Sequence, residues 1–187
     1  MYLSCNDPHL MAGNYVADFV TNSQIEKFPE SVKKGVVLHR AIDSFTDNHP
    51  AILRCNARLR PTQKKYAPVV TDIFMDHMLS IHWDRYHALN LNDFAVHVYS
   101  TLENYLPVFP EKVQSLLPRM IQDDFLLSCS NEFRLERTLL FLSRRAGFEN
   151  NIHLSLQDLR SEFDAYQDDF MTFIPDVINM VHSHCNC

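Results

Sequence analysis

The chain has 187 residues, 46% of them hydrophobic and 21% charged, with a formal net charge of −6. That length suits one well-buried core and is short for two, and the acidic total speaks against a nucleic-acid binder, which needs a basic surface to displace phosphate counterions. Three glycines are too few for the turns of a β-sandwich or a phosphate-cradling α/β fold, which leaves helices.

Asn6 or Asp7 is placed to cap a first helix reaching Asp18 to Val20. Asp18 lies near its end among Val16, Ala17, Phe19 and Val20. A lone carboxylate there is expensive to bury and meets the negative end of the helix dipole, so a positive group is expected beside it. Pro29 marks the next helix start, and "VLHRAIDSFTDNHP" then sets His39, Asp43 and Asp47 at intervals of four on one helical stripe. Two like charges so spaced cost roughly 0.2–0.5 kcal/mol, so the pattern asks for a reason.

Pro50 opens a segment in which Arg54, Arg58, Arg60, Lys64 and Lys65 occur with no acid between them. It reads either as a patch for an acidic partner or as a solvated helix face. Pro68 opens "VVTDIFMDHMLSIHWDRYH", where Val69, Ile73, Phe74, Met78 and Ile81 face the apolar side. Asp72 and Asp76 share a neighbouring stripe, with His77 about 100° away. Asn92 is expected to cap a helix through Leu106, Pro110 to precede another, and Ser130 to cap one that ends before Gly147. Ser155 is expected to cap a long last helix, with Leu156, Leu159, Phe163, Tyr166, Phe170, Phe173 and Ile174 at helical spacing. Pro175 should kink or split it. The sum is an all-α, single-domain irregular bundle over residues 1–187, with about seven to nine helices.

Cys5, Cys55, Cys129, Cys185 and Cys187 form an odd set without a C-x-x-C pair, and no secretory leader pattern opens the sequence. No disulfide framework is expected, and a reducing cytoplasm fits best. The closing "VHSHCNC" reads as a frayed tail. No apolar run approaches the roughly 18 residues of a membrane span.

Three segments thus offer carboxylates, around Asp18, Asp43 and Asp76, and two add a histidine, His39 and His77. A divalent metal accounts for all of them, since it neutralises clustered Asp groups and accepts a neutral imidazole nitrogen. Each residue also has a plainer reading: Asp43 paired with Arg40 or Lys34, Asp47 ending a helix, Asp72 an exposed carboxylate, His39 a hydrogen-bonded core histidine. The E-x-x-H signature of di-iron bundles is absent.

The pieces "GNYVADF", "GVVLHRAIDSFTDNHP" and "YAPVVTDIFMDHMLSIHW", with the aromatic-rich C-terminal helix, in this order and spacing, resemble the acyl carrier protein phosphodiesterases across essentially the whole chain. The composite of H-R-x-I-D, T-D-x-x-P and D-H-x-L-S-x-H-W carries the resemblance. It implies an all-helical relative of the HD-type metal phosphohydrolases that uses a divalent metal, chiefly Mn²⁺ with Mg²⁺ possible, to remove the 4′-phosphopantetheine arm from holo acyl carrier protein. By the same resemblance, Asp18, His39, Asp43, Asp76 and His77 are metal ligands, and His77, Arg40 and Asp76 are catalytic. Asp47 lies close by, and His82 and Trp83 support the site. Arg54, Arg58, Arg60, Lys64 and Lys65 become the docking surface for the acidic carrier, with no nucleic acid or membrane involved. The family's opening stretch of Asn, Phe or Tyr, Leu, Ala and His is not in this sequence, which starts at "MYLS"; reduced activity is the expectation.

Two other functions compete at this stage. One is an HD-like phosphohydrolase of a nucleotide or small phosphoester, with the same metal chemistry and no protein partner. The other is a non-catalytic helical interaction module in which the same side chains form a hydrogen-bond network.

Overall fold

A computed structural model describes all residues, 1–187, as helices joined by turns, without a strand. The helices are α1 (Pro8–Val16), α2 (Asn22–Ile25), α3 (Glu30–Asn48), α4 (Pro50–Gln63), α5 (Ala67–Ile81), α6 (Leu91–Glu103), α7 (Glu111–Gln122), α8 (Glu132–Arg145), α9 (Ser155–Ser161) and α10 (Phe163–Cys185). With the single turn α2 set aside, nine remain, at the top of the expected range.

Local chemistry sets most of the starts. Asp7 caps α1 by accepting from the backbone N–H groups of His9 and Leu10, at 2.7 and 3.0 Å. Pro50 and Pro68 stand in the first turns of α4 and α5, where a missing N–H costs no helical hydrogen bond. At α8 the cap is Asn131 rather than Ser130, its side chain accepting from Arg134 N–H at 3.0 Å. The last helix departs further from expectation. Ser155 starts only the short α9; the break falls at Glu162, and α10 runs unbroken through Pro175. A proline removes one donor, and the apolar face of a 23-residue helix outweighs that single loss.

The contacts divide the chain into two compact units, each assembled from separate stretches: residues 1–46, 92–125 and 175–187, and residues 47–91 and 126–174. The chain passes between the units within α3, at the start of α6, at Phe125 and at Pro175 of α10. The first unit centres on Met11, Val16, Val32, Val36, Leu38, Val98, Leu102, Val113, Leu117 and Val181, all essentially inaccessible. The second centres on Phe74, Met78, Leu135, Leu139, Tyr166 and Phe170, with the rings of Phe74 and Tyr166 packed edge to face at 5.1 Å.

In the first unit Cys5 and Cys187 form a disulfide, with Cα atoms 6.1 Å apart. This corrects the expectation of no disulfide and of a frayed tail: α10 continues to Cys185 and the chain ends meet. Pairing depends on where the two Cα atoms sit in space, which spacing along the chain does not reveal. No helix is long and apolar enough to cross a membrane.

Candidate metal centre

In the first unit two glycines bring α1 against α3. A Cβ on Gly13 would stand 2.7 Å from the Cα of Gly35 and collide with the carbonyl oxygen of Val32; one on Gly35 would stand 2.8 Å from the Cα of Gly13 and collide with that of Leu10. Backbone therefore meets backbone. One turn further along α3 lies His39, and one residue beyond Gly13 lies Asn14, so the close crossing sets these two side chains face to face.

His39 Nδ1 lies 2.9 Å from Asn14 Oδ1, and Asn14 Nδ2 donates to the hydroxyl of buried Ser4 at 3.2 Å. With the amide oxygen towards the ring, that oxygen can only accept, so Nδ1 carries the hydrogen. On the opposite side Nε2 lies 3.1 Å from Asp18 Oδ1 and 3.1 Å from Asp43 Oδ2, and these three ligand atoms all fall within 4.8 Å of one another. A bare Nε2 lone pair aimed at two carboxylates would be repelled. Either a proton or a cation must occupy that space, and an imidazole tied down through its other nitrogen is the usual arrangement of a metal-ligating histidine. The donor set of one imidazole and two carboxylates suits a hard or borderline divalent ion.

Asp18 sits on the 3-10 turn Ala17–Phe19 that follows α1, and it is exposed, with His39 beside it. Asn14 and Ser4 were not singled out from the sequence, although Asn14 stands one turn before Asp18 in "GNYVADF", and asparagine in a helix interior is otherwise disfavoured. Arg40, exposed on α3, donates from Nη2 to Asn22 Oδ1 at 2.6 Å, and Asp47 is exposed in the last turn of that helix.

Asp76 and His77 belong to the second unit. His77 is buried, and its Nδ1 donates to the backbone carbonyl of Cys129 at 2.7 Å, which leaves Nε2 as the nitrogen for a ligand or proton. Protein packed round the Asp76 carboxyl pushes it up to about 6, although the residue is open to solvent; the group is reachable from outside yet poorly hydrated. In metal-free protein the folded state holds more protons at Asp76 than the unfolded chain does, so stability falls as pH rises from about 4 to about 6 and the penalty persists above that window. Asp76→Asn, measured by calorimetry in chelator, is therefore expected to melt above wild type at about pH 7.5 and level with it at about pH 4. Equal gaps at both pH values would reject charge as the cause. His82 Nε2 lies 3.0 Å from Gln167 Oε1, and Trp83 donates to the carbonyl of Leu89 at 2.7 Å; both contacts brace the end of α5.

The basic run divides into two parts. Arg54 and Arg58 turn towards buried Asp169 on α10, with Arg54 Nε to Oδ1 at 2.7 Å and Arg58 Nη1 to Oδ2 at 3.0 Å. Arg58 also reaches Glu162 at 3.1 Å and lies over the Tyr166 ring. A buried carboxylate demands paired donors, and α4 supplies them. Arg60, Lys64 and Lys65 stay exposed. Arg58→Ala leaves Arg54 on Asp169, so a loss of about 1 kcal/mol is expected in urea unfolding; no change would show Arg54 alone suffices.

Fold and cluster together define an all-helical protein with a carboxylate–imidazole cluster that could hold a metal ion. The chain belongs to the acyl carrier protein phosphodiesterase family, whose sequence profile matches residues 1–177. Similar curated proteins named acyl carrier protein phosphodiesterase come from Enterobacter sp. (strain 638), 29% identical over 88% of this chain and 86% of that one, and from Photorhabdus laumondii, 28% identical over 88% and 84%. That of Escherichia coli O6:H1 is 28% identical over 88% and 86%. No solved structure matches.

Proposed function

We propose that this chain is a divalent-metal-dependent phosphodiesterase that hydrolyses the bond between 4′-phosphopantetheine and the serine of holo acyl carrier protein. Water enters, the arm leaves as its phosphomonoester, and the serine hydroxyl of the apo carrier is restored. The family match across residues 1–177 supports the reaction class. The observation that carries the metal dependence is His39, fixed by Asn14 through Nδ1 and aimed through Nε2 at Asp18 and Asp43.

Asp18, His39 and Asp43 hold the ion, manganese in the first instance. When bound it supplies Lewis acidity to a phosphoryl oxygen and to water. Asn14, accepting at Oδ1, keeps the His39 hydrogen on Nδ1, so that the lone pair of Nε2 faces Asp18 and Asp43. Arg40 offers a guanidinium to equatorial phosphoryl oxygens.

The test is intact-mass measurement of holo carrier protein after incubation with the purified chain and Mn²⁺. Loss of the arm's mass with Mn²⁺, and its retention in chelator, are expected. A carrier of unchanged mass beside nucleotides that are turned over would overturn the choice of substrate, and full release in chelator would overturn the metal.

A further inference from the structure

On α8 one side is buried through Leu135 and Leu139, both inaccessible. The opposite side carries Phe133, Arg137, Leu140, Phe141 and Arg144, all exposed, at steps of four, three, one and three residues. At about 100° per residue these five lie within a sector of about 100°, and no acid falls inside it. Phe133 and Phe141 are 68% and 60% exposed. The Arg137 guanidinium sits over the Phe133 ring at 5.8 Å. Just past the helix Phe148 is 71% exposed, with Lys65 over its ring at 3.8 Å. Large aromatic side chains left in water beside arginine are the composition of a binding hot spot rather than of an ordinary solvated face.

The start of α8 adjoins His77, a residue to which the family resemblance assigns a role. His77 donates to the carbonyl of Cys129, two residues before the cap Asn131. Glu132, in the first turn, is held below the usual carboxylate range mainly by its hydrogen bond from Arg160, with a smaller pull from His77. The aromatic and basic stripe thus runs away from His77 along a helix about 21 Å long.

We propose that this face of α8 is the docking surface for an acidic, amphipathic helix of the protein that carries the phosphodiester, its apolar side on Phe133, Leu140 and Phe141 and its carboxylates on Arg137 and Arg144. The inference rests on the reading that the substrate is a protein-borne diester, and it transfers docking from the α4 run, two of whose arginines are tied to Asp169, to α8. Charge complementarity selects the occupant, because the sector is cationic. The protein-borne diester of the proposed reaction supplies an acidic helix as that occupant, and an anionic lipid surface is an outcome of the test.

The double variant R137E/R144E tests this, with F141S as a second variant that leaves charge unaltered. Two readouts are used: fluorescence-anisotropy binding of labelled holo carrier protein, and kcat/KM for the carrier beside that for bis(p-nitrophenyl) phosphate. We expect carrier binding weakened about ten-fold or more in both variants, KM raised in parallel, and the small diester turned over as in wild type. Binding lost with no arm released by wild type would leave docking standing while the reaction falls. Arm release by the double variant at wild-type KM would overturn docking and leave the reaction standing. Equal loss on both substrates, or wild-type binding to phosphatidylserine vesicles abolished by the same variants, would also overturn it.

Discussion

His39→Ala is expected to empty the cluster of manganese and to lower arm release by about 10³-fold or more, since it removes the nitrogen between two carboxylates and leaves them to repel each other. Asp43→Ala should behave similarly, as it takes away the second carboxylate that faces Nε2 at 3.1 Å. The informative comparison is Asn14→Ala. Asn14 touches no ligand position except through the Nδ1 side of His39, so its loss frees the ring and its tautomer without removing a donor atom. Metal affinity should fall by about 10–100-fold, the usual cost of losing such a support, and turnover should recover at saturating Mn²⁺. Elemental analysis and a Mn²⁺ titration of turnover read both quantities. Full activity in His39→Ala would remove the cluster from the reaction, and a loss in Asn14→Ala that manganese cannot rescue would show that Asn14 does more than hold a ring.

Gly35→Ala should be among the most damaging single changes outside the cluster. The added methyl gains about 1 kcal/mol of helix propensity. It also collides with the backbone of α1, at Leu10 and Gly13, where no flexible side chain can move aside. Overpacking against rigid neighbours costs about 3 kcal/mol, so a net loss of about 2 kcal/mol is expected in urea unfolding. Because relief comes only by spreading α1 from α3, the variant should also bind manganese more weakly, since Asn14 and Asp18 lie on one side of that crossing and His39 on the other. Wild-type stability and metal affinity together would show that the crossing tolerates a Cβ.

Helix starts were legible because proline and side-chain caps act within four residues of where they stand. Asp7, Pro50 and Pro68 needed nothing from the rest of the chain. The stripe of His39, Asp43 and Asp47 was equally visible, since i to i+4 spacing alone places those side chains along one side of a helix. What lay beyond spacing was direction. Arg54 and Arg58, read as a patch or a solvated face, also meet Asp169, more than a hundred residues away. Pro175 looked like a break, but one missing hydrogen bond does not outweigh a long buried face.

By itself the sequence determined the helical class, the residues that start most helices and the side chains able to hold a cation, because propensity, capping and helical periodicity are local. Tertiary structure alone decided that Gly13 meets Gly35, that Asn14 orients His39 and that Asp18 and Asp43 converge on one nitrogen. It also decided that the two ends are joined through Cys5 and Cys187. Each of those depends on which distant faces bury each other, and burial is a property of the whole packed chain.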